Sequence, residues 1–186
     1  MLWPPVLAAL IAVAVGLLIT GGLHEDGLGS GAPKPRALEI MRDSQIGSYG
    51  ALALGLALAA RILVLTALGP LAPVLLIAGQ GVSRAAMTLL LRNGLYLRSS
   101  GAGTGMTGAL GTQGGVALIA ALVLALALAY WVAGWAIMGG LAGMFLGAGL
   151  LWRWAMRRLG GVTGDVMDGA QVLGDNGFLL GILACL

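Results

Sequence analysis

Apolar residues arrive in long blocks rather than in the alternations of a water-facing domain. The blocks run over residues 2–22, 47–68, 71–91, 114–133 and 136–152, with a shorter one at 177–186. About 20 mainly apolar residues cross a bilayer as a helix, so the pattern predicts an all-α, polytopic transmembrane helical bundle, treated as a single integral-membrane domain over residues 1–186. The last block is too short to cross as it stands. The fourth and fifth are so close that they predict a tight hairpin, around Gly134 or around Gly139 and Gly140. Between the first two blocks, Pro35 suits a first helical turn and Gly47 a helix end. A short interfacial helix is predicted there, with Leu38, Ile40 and Met41 towards the membrane or the bundle and Arg36, Glu39 and Asp43 recurring on the polar side.

Composition agrees with the pattern. Hydrophobic residues make up 59% of the 186 and charged residues 9%, against about 25% charged in a soluble domain. The 33 glycines suit close backbone approach between helices in lipid. The opening block has no basic segment before it and reads as a first spanning helix rather than a signal peptide. Cys185 is the lone cysteine, which excludes an intrachain disulfide and a cysteine metal cage.

Charge orients the chain. Lys34, Arg36, Arg42, Arg92, Arg98, Arg153, Arg157 and Arg158 fall on one side when loops are counted alternately, and the opposite turns carry no Lys or Arg. That side is therefore read as cytoplasmic. The net charge of +3 is explained by this asymmetry, with no basic block interleaved with aromatics to suggest a nucleic-acid partner. Trp131, Trp135, Trp152 and Trp154 read as interfacial belts. The glycine-rich stretch 92–113 reads as a flexible loop without a phosphate-loop signature.

Six of the seven acids share the cytoplasmic side. His24, Glu25 and Asp26 stand at the rim of the first block, after Gly21 and Gly22, which allow the backbone to unwind. Glu25 and Asp26, with Asp43, are suited to Mg²⁺, a cation that takes oxygen ligands and bridges to phosphates. His24 is read as a helix-end hydrogen-bonding residue or as a general base. Asp165, Asp168 and Asp175 share one side of a helix and form a second carboxylate wall, or else Asp165 complements a helix start. Asp175 itself is expected to cap the start of the last span. Two arginines lie inside apolar blocks, where each needs a partner, a cavity or the interface. Arg84, after Ser83, grips phosphate or pairs with an acid such as Asp165. Arg61 snorkels or makes a structural pair.

Several blocks together resemble cobalamin synthase, the adenosylcobinamide-GDP ribazoletransferase family. They are residues 20–28, residues 38–44 (Leu-Glu-Ile-Met-Arg-Asp-Ser) with 46–50 (Ile-Gly-Ser-Tyr-Gly), residues 60–63 around Arg61, residues 82–84 around Ser83, and residues 163–165 (Thr-Gly-Asp). The resemblance implies a multi-pass enzyme of the bacterial inner membrane with its active face cytoplasmic. Such an enzyme joins adenosylcobinamide-GDP to α-ribazole or its 5′-phosphate, using Mg²⁺ and releasing GMP. Carried onto this chain, His24, Arg42 and Asp43 become catalytic candidates, and Ser44, Arg61, Ser83 and Arg84 substrate contacts. Glu25, Asp26, Asp43 and Asp165 become metal ligands. Homo-oligomerisation is left open. The chain departs from the family pattern at Ser30, where a metal-site acid is expected, and is shorter after Ser30 and around residues 99–107. It is accordingly expected to join segments across missing loops. Two other readings compete. A CDP-alcohol phosphotransferase also sets acids at a membrane rim, but its aspartate repeat is not visible here. A transporter or non-catalytic membrane subunit would use Arg61 and Arg84 to line a pathway.

Overall fold

The computed structural model describes Val6 and residues 48–93, 112–158 and 160–186. The first apolar block beyond Val6, the rim acids, the interfacial helix, the glycine-rich stretch over 94–111 and both expected loop junctions lie outside these residues. Among the described residues five helices are formed: α1 (Ser48–Leu68), α2 (Ala72–Asn93), α3 (Thr112–Ala133), α4 (Ile137–Arg158) and α5 (Gly164–Cys185). Tight 3-10 turns at Gly69–Leu71 and Gly134–Ala136 join α1 to α2 and α3 to α4.

Four of the predicted blocks become α1 to α4, close to the expected bounds. The break between α3 and α4 falls at Gly134, whose φ of 54° is the left-handed conformation that glycine adopts without a Cβ penalty. Gly139 and Gly140 lie inside α4 instead. The sixth block needs correction, because α5 is a full 22-residue helix that starts at Gly164, well before residue 177. Its portion up to Asn176 carries Asp165, Asp168, Gln171, Asp175 and Asn176, which interrupt the apolar pattern while remaining helical. Thr163 caps the start, its Oγ1 accepting from the Val166 N–H at 3.4 Å, and Asp165 sits in the first turn where a negative charge complements the helix dipole.

The chain doubles back between α1 and α2. Arg61 of α1 and Gln80 and Ser83 of α2 all bond to the one carboxylate of Asp175. On a continuous straight helix, residues that far apart in sequence would be separated by roughly 30 Å. Gly69, at a φ of 55°, makes the reversal.

α5 is the central helix, with α4 along one side and α1 and α2 along another. Its contact with α4 is a seam of small residues. Gly139 meets Gly181, Gly143 meets Gly177, and Gly147 meets the backbone of Leu173, so the two helices run antiparallel with their backbones touching. Without a Cβ at these positions the axes approach closely enough for dispersion contacts along the whole length, the packing mode of helices in lipid. A Cβ on Gly143 would collide with the carbonyl of Gly177, which is backbone and cannot rotate away. Gly143→Ala is therefore expected to destabilise the protein by about 2–3 kcal/mol in thermal unfolding in detergent. Gly149→Ala, where a Cβ meets nothing within 4 Å, is expected to stay within about 0.5 kcal/mol of the parent.

α3 packs chiefly on α2 through small residues. Ala125, Ala129 and Ala133 are buried, and a Cβ on Gly81 would lie 2.9 Å from that of Ala125. The rest of α3 and much of α4 expose large apolar side chains, among them Val116, Ile119, Val123, Leu124, Phe145, Leu146 and Leu150. The most apolar windows of Leu54–Thr88 and Gly114–Arg157 have mean hydropathy 2.3 and 2.6, and both stretches are long and apolar enough to cross a membrane. In the second, only 11% of the most apolar window is buried, unlike the core helix of a water-soluble domain. Trp131 and Trp135 are exposed at the α3–α4 turn, while Trp152 and Trp154 are half-buried against the cluster of Met87, Ala155, Val162 and Val166. The aromatic group is thus divided between exposed and packing positions.

Candidate functional site

Where α1, α2 and α5 meet, the apolar core gives way to a connected polar network. Asp175 stands in the middle of α5 and is buried, so the expected capping role is replaced by one at a helix junction. Its Oδ1 accepts from the Ser83 hydroxyl. Its Oδ2 accepts from Gln80 Nε2 and from an Arg61 terminal nitrogen at 3.4 Å. Arg61 Nε donates to Asn176 Oδ1 at 3.0 Å, and Asn176 Nδ2 donates to the Ala57 carbonyl at 3.0 Å. Ala57 lies four residues before Arg61 on α1, so Asn176 grips both the side chain and the backbone of the same helix turn.

The physical need is plain. A carboxylate and a guanidinium both removed from water lose several kcal/mol of solvation each, recovered only where geometry and extra hydrogen bonds satisfy both groups. Here Asp175 gathers three donors from two helices, and Arg61 reaches two neighbouring residues of a third. Arg61 is 8% exposed and Asp175 4%, so the pair is a structural tie within the bundle. The geometry matches the structural-pair reading of Arg61, and its guanidinium faces α5. Ser83 is buried, with its hydroxyl directed at Asp175.

Arg84 differs from its neighbour. One position further along α2, about 100° around the helix, it is exposed, and Thr88 Oγ1 donates to its carbonyl at 2.8 Å. Ser83 thus anchors the turn inward while Arg84 faces out. Asp165 and Asp168 are half-buried in the first turns of α5. Among the described residues no three His, Cys, Asp or Glu side chains gather to hold a metal ion. Asp165 is the one member of the expected ligand set that these residues include. His24, Glu25, Asp26, Arg42, Asp43 and Ser44 lie outside the described residues.

Sequence reasoning missed Gln80 and Asn176. The available signal was polar residues in or beside apolar blocks, Gln80 three positions before Ser83 and Asn176 directly after Asp175. Such residues need partners in a low-dielectric interior, and each supplies one to the network.

The comparisons with known proteins decide the family. Residues 1–183 match the family model described as cobalamin-5-phosphate synthase. The chain belongs to that family. An adenosylcobinamide-GDP ribazoletransferase of Azorhizobium caulinodans is 40% identical over 97% of this chain and 73% of the relative. The proteins of the same name from Shigella boydii serotype 4 and Escherichia coli K12 are 40% and 39% identical, each over 95% of this chain and 75% of the relative. No solved structure matches. The described helices of this cobalamin-5-phosphate synthase family member thus place Arg61, Ser83 and Arg84 on two helices of one hairpin, with the first two buried and the third exposed.

Proposed function

We propose that this protein is a membrane-embedded adenosylcobinamide-GDP ribazoletransferase. It joins adenosylcobinamide-GDP to α-ribazole or its 5′-phosphate and releases GMP. The observation that carries the reading is the family match along nearly the whole chain, with relatives of that name at about two residues in five identical. The apolar helices and their exposed aliphatic faces support a multi-pass placement in the bacterial inner membrane. The basic residues Arg92, Arg153 and Arg157, at the ends of α2 and α4, support a cytoplasmic orientation for those ends.

In this reading the ribazole hydroxyl attacks the phosphorus nearer the corrinoid, the bond from that phosphorus to the bridging oxygen breaks, and GMP leaves with that oxygen. Positioning and electrostatics supply most of the rate in phosphoryl transfer. Arg84, exposed beside the anchored Ser83, is the described residue best placed to stabilise phosphate oxygens, with Arg42 as its partner. Asp43 and His24 are candidates to take the hydroxyl proton. Glu25, Asp26, Asp43 and Asp165 are the residues that would hold Mg²⁺, which when bound supplies neutralisation of the diphosphate charge.

The test is turnover by the protein in detergent, with GDP-linked corrinoid and CDP-linked alcohols offered as alternative donors. Product from the GDP-corrinoid alone, abolished by excess chelator, is expected. Turnover of CDP-linked donors would favour the other phosphotransferase reading, and undiminished activity in chelator would remove the metal from it.

A further inference from the structure

The side of α5 that faces α1 and α2 changes character along its length. Asp168, Gln171, Asp175, Phe178 and Ile182 follow at spacings of three and four, the repeat that keeps side chains on one side of a helix. Phe178 and Ile182 are completely buried, and Asp175 is held by the network of Arg61, Gln80 and Ser83. Gln171 is 5% exposed, yet its Nε2 has no hydrogen-bond partner among the described residues. The register of α2 against α5 sets Gly79 against Phe178 and Ser83 against Asp175. One further turn of α2 brings Met87 to the level of Gln171. Met87 is in the buried cluster with Val166, Met167 and Ala170. The orphaned amide therefore belongs to a mostly apolar wall, one turn from the polar network and on the half of α5 that leads towards the Gly164 end.

A buried donor left without an acceptor costs about 1–3 kcal/mol, so native chains rarely keep one without a use. Leucine at this position would avoid that cost. On the stripe that carries Gln171, the Asp175 carboxylate is already engaged by Arg61, Gln80 and Ser83, whereas the Gln171 Nε2 is not, and a neutral amide donor has no charge with which to favour an anion such as phosphate. An apolar wall with a single neutral donor suits a largely apolar molecule that presents a neutral oxygen, as a carboxamide or a hydroxyl does. We propose that Gln171 Nε2 binds a neutral carboxamide or hydroxyl oxygen of a substrate that docks at this wall of α5, making Gln171 a specificity-determining residue. This rests on the transferase reading above. It deepens that reading by adding a contact to the substrate's neutral part, separate from the phosphate-handling residues.

The test compares the parent protein with Gln171→Leu and Gln171→Met in liposomes, measuring GMP release while adenosylcobinamide-GDP and α-ribazole are varied in turn. The expected result is a KM raised about tenfold for one substrate, either the corrinoid, which presents carboxamides as well as hydroxyls, or the ribazole, which presents hydroxyls. The other KM and kcat should stay within twofold, and thermal stability should be unchanged or higher because the orphaned donor is gone. Unchanged Michaelis constants in both variants, or a loss of kcat that tracks lost stability, would overturn the inference. Failure of the parent protein to release GMP from both substrates together would instead overturn the transferase reading on which it rests.

Discussion

Arg61→Ala is expected to lower stability by about 3–5 kcal/mol, the cost of leaving a buried charge without its partner. The residue left behind is Asp175, held at 4% exposure between three helices. Two of its donors, Gln80 and Ser83, would remain, but neither carries the charge that balances the carboxylate. The Asn176 side chain would also lose the Arg61 Nε bond while keeping its bond to the Ala57 carbonyl. Asp175→Leu alone should be comparably damaging, since it strands the guanidinium. The paired substitution Arg61→Met with Asp175→Leu should recover much of the loss, because apolar residues of similar volume often replace a buried ion pair at little cost. Denaturant unfolding in detergent, with the folded fraction checked by gel filtration, gives the cycle of four proteins. An Arg61→Ala protein as stable as its parent would show that the pair does not hold α1 to α5.

Asp26→Asn is expected to act in the opposite manner, reducing turnover by orders of magnitude while the protein still inserts and purifies normally. Asparagine keeps the size and most of the hydrogen bonding of aspartate but lacks the negative charge that a hard cation such as Mg²⁺ requires. Asp175→Asn makes the informative contrast. The network predicts that it loses stability and membrane yield, with the metal dependence of whatever folds left unchanged. Measuring turnover against Mg²⁺ concentration for both variants, beside their yield, separates a metal ligand from a structural carboxylate. Near-normal turnover by Asp26→Asn at ordinary Mg²⁺ would remove Asp26 from the metal site.

How far the sequence could be read depended on where polar groups fell. α1 to α4 were legible because mainly apolar runs of about 20 residues have few alternatives to a buried or lipid-facing helix. The turns at Gly69 and Gly134 were legible as breaks, although the choice between Gly134 and the pair Gly139 and Gly140 needed the α4–α5 seam, where glycine serves packing rather than turning. α5 was half hidden. Asp165, Asp168 and Asp175 read as a carboxylate wall ahead of a short span, whereas Asp175 is buried in the helix together with Gln171 and Asn176. Hydropathy cannot register a polar residue whose partner lies on another helix more than 90 positions away, as Ser83 is from Asp175. Arg61 carried the readings of a snorkelling residue and of a structural pair, with a substrate contact implied by the resemblance, and the partners of the pair, Asp175 and Asn176, could not be read from the sequence because they lie on another helix. The rim acids Glu25 and Asp26 remain legible by chemistry and family resemblance alone, since they lie outside the described residues.

The most direct measurement is the stoichiometry of the reaction in sealed liposomes. Adenosylcobinamide-GDP and α-ribazole are supplied together and singly, and the corrinoid product and GMP are quantified by mass spectrometry. The account predicts one GMP for each corrinoid–ribazole product, formed only when both substrates and a divalent metal are present. Movement of either substrate across the bilayer without GMP release, or no product when both are present, would contradict it.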